Sequence, residues 1–346
     1  MDGRSCIVAE LLPWQQSVWQ QVIARHEQGR LPHALLLIGP EGVGKRQFAE
    51  YMSAWFLCSA QQQTPCGQCR SCMLLGHGSH PDRMVIVPEG AQGTIKVDAI
   101  RQVSEFSAET AQQGNGKVVL VQNADRLNVQ AANALLKNLE EPPARTLFIL
   151  WSAHFTRLMP TIRSRCQQLA FSLPATEDSQ KWLVQQGIGA DQFPQLLNIA
   201  RGSPLKALEY HEANLLQVWD EWQQQLIGLQ AGRVSVSELA ELWKNRQTGM
   251  ILSWLSDWIS EAVKQMMGAA HSTTGLFLPE LLSAAIATAR ASEWLAFYEK
   301  LNVLRVQLDG TANLNPSLAL ETILIEWSRL MRTSSRSRVD GKPVRN

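Results

Sequence analysis

An α/β nucleotide-binding domain followed by helical domains is the architecture that this 346-residue sequence predicts. Three observations carry the prediction. A glycine loop, GPEGVGK at 39–45, follows directly on the apolar run HALLLI, as a phosphate-binding loop follows its strand. Short apolar runs then alternate with amphipathic segments to about residue 170, the pattern of a parallel sheet covered on both faces. Beyond Pro174 the strand signals fade, and a helical pattern persists to Met331.

Taken in order, 15–28 has helical spacing and leads through Gly29-Arg30-Leu31-Pro32 into 34–38, a buried strand. The glycine loop turns into a helix over 45–57, which gives way to a polar insertion rich in cysteine. A second strand covers 84–87. In IKVDAIRQVSEFSAET, Ile95, Ile100, Val103 and Phe106 suit a strand edge running into an amphipathic helix. KVVLVQNAD holds a third strand, VQAANALLKNLEEPP a helix stopped by Pro142-Pro143, and TLFILWSA a fourth strand. The expected division is a nucleotide-binding-like domain over 1–170 with an insertion at 58–72, a small helical domain over 171–211 containing the turn Arg201-Gly202-Ser203-Pro204, a larger helical domain over 212–331, and a basic, disordered tail over 332–346. Trp219, Trp222, Trp243, Trp254, Trp258, Trp294 and Trp327 read as helix-bundle core, since no flanking basic pattern suggests base stacking.

Hydrophobic residues make up 45% and charged residues 18%, as in an ordinary globular chain. The apolar runs are a few residues long, and Glu10 interrupts the N-terminal MDGRSCIVAELLPW where a signal peptide needs an unbroken apolar core, so the expected location is the cytoplasm, with no membrane partner. The net charge of +1 conceals an asymmetry: the tail holds five basic residues against Asp340, leaving a mildly acidic body. A chain that gripped DNA alone would more often have a basic body, so nucleic-acid contact is expected to be shared with partners.

In a phosphate loop, glycines such as Gly39, Gly42 and Gly44 let backbone amides turn toward phosphates at a helix N-terminus, and Lys45 reaches the β and γ groups. These residues leave ATP or ADP binding open, but the chemistry looks lost. The next position normally bears a hydroxyl that ligates Mg²⁺; Arg46 offers only N–H donors and a charge that repels the ion. The third strand runs into Gln122-Asn123, amides that can neither balance Mg²⁺ nor take a proton. Asp125 reads as a turn or helix-start carboxylate.

Four of the six cysteines crowd into fifteen residues as Cys58-x₇-Cys66-x₂-Cys69-x₂-Cys72. In a reducing compartment such crowding points to metal, and four thiolates at this spacing can close a tetrahedron around structural Zn²⁺. An iron–sulfur cluster and a redox Cys-x-x-Cys are the rivals, with no Cys-Pro in the place a ferredoxin pattern needs. His77 and His80 could substitute as ligands, though they read better as loop residues outside the site.

RLPHALLLIGPEGVGK, ANALLKNLEEPP and PTIRSRC, in this order and spacing, resemble the AAA+ subunits of the bacterial DNA polymerase III clamp loader; RGSPLKAL and ANLNPSLALE extend the resemblance over essentially the whole chain. The damaged ATPase motifs make it similar to the delta prime branch of that family rather than to the gamma/tau ATPases. The resemblance implies an AAA+ P-loop NTPase-like domain with an inserted zinc module, a small helical lid and an all-α collar. It also implies that all four cysteines are zinc ligands. Ser164-Arg165-Cys166 matches the family's Ser-Arg-Cys motif, whose arginine reaches across an interface to the γ-phosphate of ATP held by a neighbour. Such trans arginine fingers contribute roughly 10³ to 10⁵ in rate. Outside the resemblance Arg165 reads as a salt-bridge residue. Cys166 is then a buried small residue with no nucleophilic role. Where ATPase members carry a lid arginine after Gly-Ser, Gly202-Ser203-Pro204-Leu205 has leucine, and Lys206 is expected to point elsewhere. Ser152 sits where the family places a polar sensor and reads equally well as a strand-end turn residue.

The implied function is that of a stator. Its collar would join a five-subunit ring with three gamma/tau ATPases and one delta subunit, which opens the sliding clamp and places it on primed DNA for the polymerase holoenzyme. Two other readings stay open: an active clamp-loader ATPase with an unorthodox site, and a zinc-dependent nucleic-acid-binding protein for which the AAA+ fold is scaffold. The acidic body argues against the second.

Overall fold

The computed structural model describes residues 10–89, 93–113, 115–244, 248–268, 282, 286, 290–309 and 315–336. Contacts divide the chain into two units, Met1–Gly187 with Ser203–Lys206, and Ile188–Gly202 with Ala207–Asn346.

In the first unit, five parallel strands form one sheet: β1 Ala34–Ile38, β2 Arg83–Ile86, β3 Lys117–Val121, β4 Thr146–Ser152 and β5 Gln167–Ala170, in the order β2-β3-β4-β1-β5. The helices between and after them are α1 Gln16–Glu27, α2 Lys45–Leu57, α3 Arg70–Gly76, α4 Val97–Ala108, α5 Val129–Glu140, α6 Pro160–Arg165 and α7 Thr176–Gln185. Side chains alternate across a strand, so each strand feeds two cores. Leu35 and Leu37 of β1, Leu120 of β3 and Ile149 of β4 pack with Trp19 of α1 and with Phe48, Met52 and Trp55 of α2. Leu36, Val119, Phe148 and Leu150 face the other way, onto Ile100 and Val103 of α4, Leu135 and Leu139 of α5 and Ile162 of α6. This double burial explains why the central strands read as unbroken apolar runs.

Two local expectations change. The strand edge expected near Ile95 reduces to a single parallel bridge between Ile95 and Leu127. A fifth strand, β5, stands where none was expected: Gln167-Gln168-Leu169-Ala170 has one buried residue, and the segment is made a strand by pairing with β1, Leu36 opposite Gln168 and Leu37 opposite Leu169. That is tertiary context overriding a weak local preference.

The second unit is helical among its described residues. It contains α8 Phe193–Ile199, α10 Leu215–Gln230, α11 Val236–Lys244, α12 Thr248–Met266, α13 Ala291–Asp309 and α14 Pro316–Arg336, and takes most of α9 Pro204–Glu212, which starts in the first unit. Its core is built on tryptophan. Trp219 stands edge-on to Trp254 and Trp258, with ring centroids 4.6 and 4.7 Å apart, Trp222 meets Trp254 at 4.6 Å, and Trp243, Trp294 and Trp327 are fully buried. Edge-to-face contacts of this kind add to the area the indoles bury. Buried Asp257 of α12 pairs with Arg201. The last helix runs to Arg336, into the stretch read as tail; 337–346 lie outside the described residues. Among the described residues no helix is long and apolar enough to cross a membrane.

Candidate functional site

The glycine loop leaves β1 at Gly39 and enters α2 at Lys45. All three of its glycines are constrained. Gly39 lies at φ 150° with a Cβ position 2.1 Å from the Phe171 carbonyl oxygen, and Gly44 caps α2 in the left-handed region at φ 88°. Either substitution would force backbone strain or a clash. Gly42 lies between them at φ 71°.

Within this loop Lys45 is turned back on its own chain. Its Nζ donates to the carbonyls of Gly39, at 2.7 Å, and of Pro40. The side chain is buried, and burial lowers its pKa to about 8 against the opposing pull of Glu41 and Asp125. Polar groups close the loop from two sides, and no sequence signal marked Trp14 and Gln15 among them. From before α1, Gln15 Nε2 donates to the carbonyls of Val43 (3.2 Å) and Gly44 (2.8 Å), and Trp14 Nε1 to Val43 (3.0 Å). From the start of α9, Ser203 Oγ donates to Glu41 O at 2.6 Å and the Leu205 N–H to Gly42 O at 3.2 Å. Lys206 Nζ lies 3.3 Å from Glu41 Oε2, so Lys206 faces the loop rather than pointing elsewhere as expected. Burial raises the Glu41 carboxyl, but Lys206, His154 and Lys45 outweigh it and hold its pKa below the ordinary value.

The elements that would do chemistry are engaged elsewhere. Arg46 is exposed and pairs with Glu50 at 2.9 Å, one turn along α2. At the end of β3, Gln122 and Asn123 lead into the short turn Ala124–Arg126, where Asp125 accepts the hydroxyl of fully buried Ser152. Ser152 Oγ in turn accepts the His154 N–H at 2.9 Å.

Arg165 ends α6 and precedes β5 by two residues. Its Nη1 donates to Thr161 O at 3.2 Å and to Ser164 Oγ at 3.3 Å, and its Nη2 pairs with Glu140. Ser164 Oγ donates to Thr161 O at 3.0 Å. Because β5 runs parallel to β1, from Gln167 opposite Leu35 to Ala170 opposite Ile38, Arg165 lies at the end of the sheet where strands start, whereas the loop lies where they end. Six residue steps of extended chain lead from Arg165 to Phe171, the neighbour of Gly39, roughly 20 Å. An arginine side chain cannot span that. Cys166 is buried, which pushes its thiol up to about 12 and leaves it inert.

Cys58 follows α2, Cys66 lies in the polar loop, and Cys69 and Cys72 sit at the N-cap and in the first turn of α3. Their four sulfurs lie within 4.8 Å of one another, with Cys58–Cys69 at 3.9 Å and Cys66–Cys72 at 4.0 Å. Sulfurs about 2.3 Å from a tetrahedral zinc stand about 3.8 Å apart, so the cage has the right size. Backbone N–H groups of Cys66, Cys69 and Cys72 point at the sulfurs of Cys58, Cys66 and Cys69, at 3.3–3.4 Å. Burial opposes ionisation at Cys69, yet hydrogen bonds from Ser59 and Cys72 bring its thiol down to about 6. Burial raises Cys58 and Cys72, which need a cation to ionise beside their neighbours. His80 Nδ1 accepts the Asp82 N–H at 3.1 Å, and neither His77 nor His80 joins the sulfur cluster. Cys6 lies outside the described residues.

Comparison with known proteins adds the family. The family model described as "DNA polymerase III, delta subunit" matches residues 14–175, and "DNA polymerase III, delta subunit, C terminal" matches 214–329. The DNA polymerase III subunit delta' of Pseudomonas aeruginosa is 36% identical over 93% of this chain and 99% of its own length. That of Escherichia coli is 33% identical, covering 90% and 94%. The crystal structure of a DNA polymerase III gamma subunit-related protein from Thermotoga maritima matches 92% of this chain and 100% of its own, at TM-score 0.45 and 20% identity. These matches span most of the chain, and the chain belongs to the DNA polymerase III delta' family.

Proposed function

We propose that this chain is the non-hydrolysing member of a DNA polymerase III clamp loader, which keeps the phosphate loop as a fold element and supplies Arg165 to ATP bound by a neighbouring subunit. The observation that carries this reading is the separation between Arg165 and the loop of its own chain, at opposite ends of β5. A guanidinium that cannot reach its own site is consistent with a role at a neighbour's. A permanently charged fork suits the charge that develops on a transferring phosphoryl group.

On the chain's own loop, Arg46 in the metal-ligand position and Gln122-Asn123 at the strand end argue against turnover. ATP or ADP could still be held there, but its phosphates would have to draw Lys45 away from Gly39 and Pro40. The four cysteines would hold a structural zinc with every position filled by sulfur and none left for substrate. Within this reading 1–170 is the nucleotide-binding-like domain, 171–211 the lid and 212–331 the collar. The collar would join three gamma/tau ATPases and one delta subunit in a five-membered ring that places the sliding clamp on primed DNA in the cytoplasm.

Two measurements test it. The isolated chain with ATP and Mg²⁺ should hydrolyse no faster than its Lys45→Met variant; faster turnover by the wild type would revive the active-ATPase reading. Assembled with the ATPase partners and clamp, Arg165→Ala should form the complex normally but lower stimulated hydrolysis.

A further inference from the structure

A guanidinium carries five N–H donors in a fixed fork, and the fork of Arg165 is used unevenly. Nη1 donates within α6 itself, to Thr161 O and Ser164 Oγ. Nη2 forms an ion pair with Glu140. Among the described residues the Nε–H has no acceptor, and the side chain is 35% exposed. Glu140, on α5, is the one anchor that comes from outside the helix of Arg165.

Local structure gives Glu140 little reason to be acidic. It is the last residue of α5, where the negative end of the helix dipole disfavours a carboxylate, and Glu141 follows it. Among the described residues no cation other than Arg165 pairs with it. A carboxylate set against the preference of its own helix is compensated by one partner on the next helix, and that partner is the residue read as the trans donor.

We propose that Glu140 is a positioning residue for Arg165: it fixes the direction of the guanidinium so that its unused donor edge meets the neighbour's phosphate already aligned. This rests on the reading of Arg165 given above. Positioning of this kind acts on the rate and not on substrate binding, because it removes conformations that cannot reach the transition state. The pair is open to solvent, at 35% and 48% side-chain exposure, so its effect is modest.

The test uses the complex assembled with its ATPase partners, sliding clamp and primed DNA, with kcat and KM for ATP measured for wild type, Glu140→Gln, Glu140→Asp, Arg165→Ala and the Glu140→Gln/Arg165→Ala double variant. Glu140→Gln should lower kcat about two- to fivefold, the range an exposed ion pair can supply. KM, complex assembly and the thermal midpoint should stay as in wild type. Glu140→Asp should recover part of the loss, and Glu140→Gln should add nothing on top of Arg165→Ala. A Glu140→Gln complex with wild-type kcat, beside a slowed Arg165→Ala complex, overturns the role of Glu140 and leaves the finger intact. Losses that add in the double variant overturn it too. No effect of Arg165→Ala removes the reading on which it rests.

Discussion

Lys45 is the residue at which the loop's inheritance and its present state conflict. It keeps the place of a phosphate-binding lysine but is buried against its own loop carbonyls, with its pKa lowered to about 8 by burial. An unfolded lysine holds its proton to about pH 10.4. Between about pH 8 and 10.4 the unfolded chain therefore binds more protons than the folded one, and stability rises with pH. Below pH 8 the cost of burying the ammonium is present in full; it is relieved as pH climbs through 8. The thermal midpoint of wild type should accordingly rise relative to that of Lys45→Met from pH 8 to 10, and a difference that stays flat over that window would contradict the assignment. Arg46 shows how a single residue was legible in sequence while its surroundings were not. Its lack of a hydroxyl is evident from identity alone, whereas its pairing with Glu50 and the closure of the loop by Gln15, Ser203 and Lys206 depend on contacts between distant segments.

At the scale of elements, the central strands were readable because both of their faces are buried and leave unbroken apolar runs, as in 34–38 and 117–121. The edge strand β5 was not, because three of its four residues face solvent and only pairing with β1 defines it. The cysteine cage was legible for the opposite reason: metal ligands are specified by residue type and spacing, with little need of the surrounding fold. Its four sulfurs are close enough to share one ion. Elemental analysis should find one zinc per chain, and removing it with a chelator, or making Cys66→Ser, should lower the thermal midpoint and speed amide exchange in α3. A chain that binds no metal, or loses it without change in stability, would contradict a structural zinc. The turn Arg201-Gly202 lay between these extremes: its glycine announced a turn, but the left-handed backbone at Arg201 itself did not show in the sequence.

Over the whole molecule, the parallel topology sets the functional geometry. It puts the end of β1, and with it the loop, at one end of the sheet, and the start of β5, and with it Arg165, at the other. The connectivity separates this chain's arginine from its own loop, so a damaged loop and an intact Arg165 are compatible under the proposed reading. The account therefore divides two residues that a self-contained ATPase would unite. The most direct measurement is clamp-stimulated ATP hydrolysis by complexes carrying Lys45→Met or Arg165→Ala in this subunit alone, with every partner wild type. The account predicts a wild-type rate for Lys45→Met and a reduced rate for Arg165→Ala; a reduced rate for Lys45→Met beside an unchanged rate for Arg165→Ala would contradict it.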